Sequence, residues 1–72
     1  MKGYVVNYRQ GMSQGRQNIV PANSPKDAAK RMLRMLNYSS DSIREIDEYD
    51  GSVPICIAVQ TPTTKVVRYY TV

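Results

Sequence analysis

Histidine, tryptophan and phenylalanine are absent from this chain, and cysteine occurs once. Without histidine the commonest general base near neutral pH is missing. Neither a histidine-based triad nor a histidine-containing metal site can then be assembled. The single Cys56 excludes an intrachain disulfide and fits a reducing compartment. It lies in the apolar run Val53-Pro54-Ile55-Cys56-Ile57-Ala58-Val59, with no basic neighbour in sequence to activate the thiol, so it reads as a small core residue. Long hydrophobic runs are lacking too. The longest falls far short of the roughly 20 residues of a membrane span. The opening Met1-Lys2-Gly3-Tyr4-Val5-Val6-Asn7 breaks too early for the apolar core of a secretory signal. The expectation is a soluble, cytoplasmic protein with no membrane partner.

Sites for metals and phosphates are excluded by spacing. The acids Asp41, Glu45, Asp47, Glu48 and Asp50 fail the pattern of a calcium loop, because placing Gly51 at the glycine position puts Ile46 and Ile57 where the first and last ligands belong. They read as a solvated strand face and turn. Gly11 and Gly15 lack the Gly-Lys-Ser/Thr ending of a phosphate loop and the strand-to-helix setting of a dinucleotide site. No cofactor, no metal ligand set and no catalytic residue is implied, so the chain reads as a non-enzymatic binding module.

What is present suits one small folded domain. Seventy-two residues, 42% apolar and 22% charged, support a single core of modest stability and leave no length for a second. Tyr4 to Arg9 alternates Tyr4, Val6 and Tyr8 against Val5, Asn7 and Arg9, the period of a strand with one face on a core. The two glycines that follow open a hairpin into a second strand over Arg16 to Ala22, which Pro21 is expected to stop. Ser24-Pro25-Lys26-Asp27 then spells a helix start: a capping hydroxyl, a proline at the first helical position and a carboxylate at the positive helix end. At 100° per residue, Ala28, Ala29, Met32, Leu33, Met35 and Leu36 fall within an arc of about 160°, opposite Lys26, Lys30, Arg31, Arg34 and Asn37.

Residues 38–50 fit either a short helix capped by Ser40 or a strand over Ile43 to Tyr49 that enters a hairpin at Asp50-Gly51; the strand is preferred. Val53, Ile55, Ile57 and Val59 make the next strand face, with Cys56 and Ala58 on its reverse. Thr61-Pro62-Thr63-Thr64 turns the chain into a last strand within Lys65 to Val72. The order ββαβββ predicts a two-layer α+β domain over residues 1–72, with an antiparallel sheet of four to five strands and one amphipathic helix on one face.

Two surfaces are candidates for function. Residues 1–37 carry a net charge of +6 and residues 38–72 a net charge of −2, an asymmetry that can steer an anionic partner. Lys26, Lys30 and Arg34 recur at i, i+4 and i+8, and with Arg31, Arg9 and Arg16 they form the candidate nucleic-acid surface. Simple solubility of a helix on a sheet explains the same cations, and Asp27 would neutralise part of them. The pattern has neither the aromatic signature of an RNA-recognition sheet nor a Gly-x-x-Gly clamp. The second candidate uses tyrosines. Tyr69 and Tyr70 must point to opposite faces of their strand, so one is expected on the uncovered side, with Tyr4, Val5 or Val67 for company. That face would suit a protein partner, as in a phage-type inhibitor or adaptor, or a homodimer.

Overall fold

The alternation of the first strand places Tyr4, Val6 and Tyr8 inside and leaves Asn7 and Arg9 outside, over β1 (Lys2–Gln10). A computed structural model describes residues 1–11, 15–48 and 51–72. Gly11 ends β1 at φ 59°, the left-handed conformation its missing side chain permits, and its N–H reaches the Pro54 carbonyl at 3.2 Å. The chain returns in β2 (Gln17–Ala22), antiparallel to β1.

Pro21 does not stop β2, contrary to the sequence expectation. The Tyr8 N–H donates to the Arg16 carbonyl at 2.8 Å. Stepping along the register by twos makes Val6–Asn18, Tyr4–Val20 and Lys2–Ala22 pairs of the same hydrogen-bonded kind. Pro21, opposite Gly3, falls between them with its nitrogen turned away from β1. Because β2 is an edge strand, no neighbour needs the missing donor.

The helix α1 (Pro25–Met35) starts as its sequence specifies. Ser24 Oγ accepts from the Asp27 N–H at 3.1 Å, and Pro25 opens the first turn. The Asp27 carboxylate reaches back one residue beyond the cap, to the Asn23 N–H at 3.2 Å. At the other end Asn37 adopts φ 65°, the Asn37 N–H bonds the Arg34 carbonyl and the Tyr38 N–H bonds the Leu33 carbonyl. This paired closure is the Schellman arrangement, with asparagine in the left-handed slot. It delivers Tyr38 onto Tyr8, the ring centres 6.1 Å apart and the hydroxyls 3.2 Å apart. Burial, and then the Tyr38 hydroxyl, push the Tyr8 phenol up to about 12.

Ala28, Ala29, Met32 and Leu33 are fully buried against Val6, Val20, Ile57 and Val59. The two alanines let the helix backbone lie close to the sheet. Met35 departs from the expected arc: it is 58% exposed, while Leu36 packs at the margin of the core. Met35 lies at one end of the arc, beyond Ala28, where the helix surface turns toward solvent past the edge strand.

The sheet continues with β3 (Arg44–Ile46), β4 (Ile55–Gln60) and β5 (Val67–Thr71), completing the order ββαβββ. Spatially the five antiparallel strands run β2-β1-β4-β5-β3, with α1 against β2, β1 and β4 and only lightly against β5. The two-layer α+β architecture is therefore present. The expected hairpin from the third strand into the fourth is not formed. β3 is three residues long and pairs with β5, which lies between it and β4. Tyr49 and Asp50, part of that expected strand and turn, lie outside the described residues. Within β5, Tyr70 is buried under the helix layer and Thr71 on the other face donates its Oγ1 hydrogen to the Ile55 carbonyl at 2.6 Å, in a buried bond. β4 and β5 join through a turn in which Lys65 takes φ 56° and the Thr61 and Thr64 hydroxyls meet at 2.6 Å.

Candidate nucleic-acid interface

The outer side of α1 is set by its inner side. With Ala28, Ala29, Met32 and Leu33 facing the sheet, Lys26, Lys30 and Arg34 share a strip about 80° wide on the opposite surface. Lys26 and Arg34 are exposed and Lys30 is half-buried. Eight residues at 1.5 Å each make the row about 12 Å long.

Asp27 is the one acid on this helix, and its charge is engaged. Its Oδ2 accepts from the Asn23 N–H at 3.2 Å and from Arg31 Nε at 3.1 Å. The Asn23 amide, with Arg31 and Arg34 nearby, holds the carboxyl below the ordinary carboxylate range. Arg31 is thus committed to an i, i+4 pair of small energetic worth, about 0.3–0.5 kcal/mol. Its positive charge is offset locally. Lys26, Lys30 and Arg34 make no ion pair among the described residues.

The acids collect elsewhere. Asp41, Glu45, Asp47 and Glu48 surround β3, at the opposite edge of the sheet from β2, and Glu45 meets Arg68 at 3.3 Å across the β3–β5 pair. The charge asymmetry between sequence halves is thereby turned into a separation in space, with cations over β2 and β1 and acids around β3.

The six candidate cations are divided by the fold. Lys26, Lys30, Arg31 and Arg34 come together on α1. Arg16 is exposed; carrying the β1–β2 register one step past Asn7–Gln17 sets it opposite Tyr8, on the helix side of the sheet. Arg9 is on the other face. It pairs in register with Cys56, and with Asn7, Ala58, Val67 and Tyr69 these residues enclose a hollow of about 330 Å³. The sheet therefore separates Arg9 from the helix row.

The tyrosine candidates divide as well. Tyr4 and Tyr70 are 5% and 4% exposed beneath the helix layer, so neither can touch a partner. Tyr4 shares its face with Val6 and Tyr8, and Tyr70 faces Ile57 in the register. Tyr69 alone of the three stands on the uncovered side, with Val5 and Val67 as anticipated. That side also exposes Ile19, 75% accessible on edge strand β2.

Cys56 is buried on this same uncovered side of the sheet, outside the cluster that packs under α1. Burial pushes its thiol up, and Arg9 opposes only part of that rise, so the sulfur stays protonated near neutral pH. Among the described residues no three side chains of the cysteine, aspartate and glutamate type gather to hold a metal, and no helix is long and apolar enough to cross a membrane.

One feature was hidden in the sequence. Arg31, Arg34 and Met35 line a groove with Val20 and Pro21, between α1 and the outer edge of β2. Assigning Met35 to the core concealed it; the signal was its place at the limit of the apolar arc.

No known protein family, curated protein or solved structure matches this chain. What its surfaces can do follows from their charges and shapes.

Proposed function

We propose that this protein is a non-enzymatic binding module that docks nucleic acid on the outer face of α1. One observation carries the reading: Lys26, Lys30 and Arg34 form an aligned row on one face of α1, while the only acid on the helix is occupied by Arg31 and the Asn23 amide. Phosphates that approach this row release their condensed counterions, which favours binding most at low salt. The acids around β3 repel the same ligand and orient the encounter. A reducing interior, where Cys56 remains a thiol, is the compartment this reading assigns.

The test is fluorescence anisotropy with a labelled duplex, repeated across salt concentrations. The intact protein should bind with a dissociation constant on the order of micromolar at low salt. Changing Lys26, Lys30 and Arg34 together to glutamine should abolish that binding while the melting temperature stays put, since these side chains lie outside the core. Failure of the intact protein to bind any probe at low salt contradicts the reading.

A second reading has its own observation. Val67 exposes apolar surface beside Tyr69 on the uncovered sheet face, and Ile19 exposes more of it on the same face at the β2 edge, as a protein interface or a homodimer would require. A stoichiometric partner that survives nuclease treatment, or a doubled mass in light scattering, would favour this reading over the first.

A further inference from the structure

We propose that the hollow on the uncovered sheet face is a second site, separate from the α1 row, and that it takes one unpaired nucleobase together with its phosphate. The shape of the hollow has a cause in the sequence. β4 turns the small Cys56 and Ala58 to the middle of that face, while β1 on one side presents Asn7 and Arg9 and β5 on the other presents Val67 and Tyr69. Two small side chains between two rows of larger ones leave the space of about 330 Å³, which falls within the size range of small-molecule sites, about 300–1,000 Å³. β1 and β5 each lie about 4.8 Å from β4, so the two walls rise from backbones about 9.6 Å apart. A planar ring in contact on both of its faces needs about 7–8 Å. One ring fits.

Each part of a nucleotide meets a suitable side chain there. Tyr69, half-buried, offers a ring at one wall, and stacking of a base on tyrosine tolerates any base. Asn7 and Tyr69 are both in register with Ala58, so the Asn7 carboxamide stands at the same level of the hollow, able to donate to a base edge and to accept from it. Arg9 lies two residues along β1 from Asn7, about 6.8 Å, where its guanidinium fork can hold the phosphate attached to that base. The surrounding charge also favours an anion. Among the described residues that the five strands turn to this face, only Arg9 and Arg44 are charged, and both are cations. A duplex keeps its bases paired and has none to insert, so the α1 row and the hollow take different ligands. A free nucleotide and a nucleotide within a single strand offer the hollow the same chemistry.

The test records backbone amide shifts while four probes are titrated separately into labelled protein: a nucleoside monophosphate, the same nucleoside without phosphate, ribose phosphate, and a terminally phosphorylated oligopyrimidine. The monophosphate should move Asn7, Ala58 and Tyr69, with half-saturation on the order of a millimolar, the strength of one stacked ring and one charged contact. The nucleoside and the sugar phosphate should each bind at least about fivefold more weakly. Tyr69→Ala should weaken the monophosphate by about 5- to 150-fold, and Arg9→Gln by about tenfold. Ala58→Leu fills the hollow from the uncovered side and should abolish the shifts while the melting temperature holds, since Ala58 lies outside the packed cluster under α1. Changing Lys26, Lys30 and Arg34 together to glutamine should leave monophosphate binding unchanged. An oligopyrimidine that binds more tightly than the monophosphate assigns the site to a strand, and equal affinities assign it to a free nucleotide; either result supports the site. Shifts confined to α1, no shifts up to about ten times the expected half-saturation, or full binding by Ala58→Leu overturns it. A doubled mass in light scattering that Tyr69→Ala reverses, with the hollow silent to the monophosphate, gives this face to a second copy and overturns it as well. Duplex binding is lost or kept with the α1 cations, so the failure of one site leaves the other standing.

Discussion

Replacing Leu33 by alanine should destabilise the protein by about 3 kcal/mol, whereas Met35→Ala, two residues on, should cost less than about 0.5 kcal/mol. Leu33 has no exposed surface and Met35 is 58% exposed, although both sit in the apolar arc of the sequence. Truncating Leu33 removes three carbons from beneath the helix and leaves a cavity that the packed sheet can close only in part. In a domain of this size each kcal/mol shifts the melting temperature by about 4–8 °C, so Leu33→Ala should lower it by about 12–24 °C. Thermal melts followed by far-ultraviolet circular dichroism give the comparison directly. Equal losses for the two variants would mean that Met35 is packed after all, and that the groove beside β2 is absent.

The second large effect is expected at Gly15. A methyl group built there would collide with the Tyr8 carbonyl, an overlap no rotamer can relieve because the obstructing atoms are backbone. Gly15→Ala must therefore displace the entry to β2 from β1, and the first bond lost would be Tyr8 N–H to the Arg16 carbonyl. Overpacking of this kind costs about 2–3 kcal/mol. Urea titration should show a lower midpoint with little change in slope, since the amount of surface buried barely changes. Gly11→Ala offers a contrast: its φ of 59° strains an alanine, but among the described residues nothing lies within 4 Å of the added methyl. Its cost should be about 1 kcal/mol. A neutral Gly15→Ala would contradict the close approach of the two strands.

Elements with local causes were legible in the sequence. Ser24, Pro25 and Asp27 specify the helix start within four consecutive residues, and each takes the expected place there, with Asp27 bonding the Asn23 amide. The alternation in Tyr4 to Arg9 and in Ile55 to Val59 named the inward side of two strands correctly. What was not legible depends on neighbours distant in the chain. Asp50-Gly51 reads as a hairpin turn on local grounds, yet β5 returns from the far end of the sequence to occupy the place beside β4, and β3 can only add outside it. Pro21 is a strand breaker in the middle of a sheet and harmless on an edge, and only the strand order tells which applies.

The candidate surfaces follow the same rule. The spacing of Lys26, Lys30 and Arg34 is a property of one helix, so the row could be read directly. Joining Arg9 to it required knowing which face of β1 the helix covers, and the covered face is that of Tyr8. Tyr69 and Tyr70 were separable in principle by alternation, but choosing between them needs the register that sets Tyr70 opposite Ile57.

The account stands on the outer surface of α1 being where a polyanion lands. Backbone amide shifts recorded while a short duplex is titrated into labelled protein at low salt report that location residue by residue. The largest changes should run along Lys26, Lys30 and Arg34, with Arg9, Val67 and Tyr69 unmoved. Changes centred on Val67 and Tyr69, with the helix row silent, would show that the ligand uses the uncovered sheet and that the cations of α1 serve solubility alone.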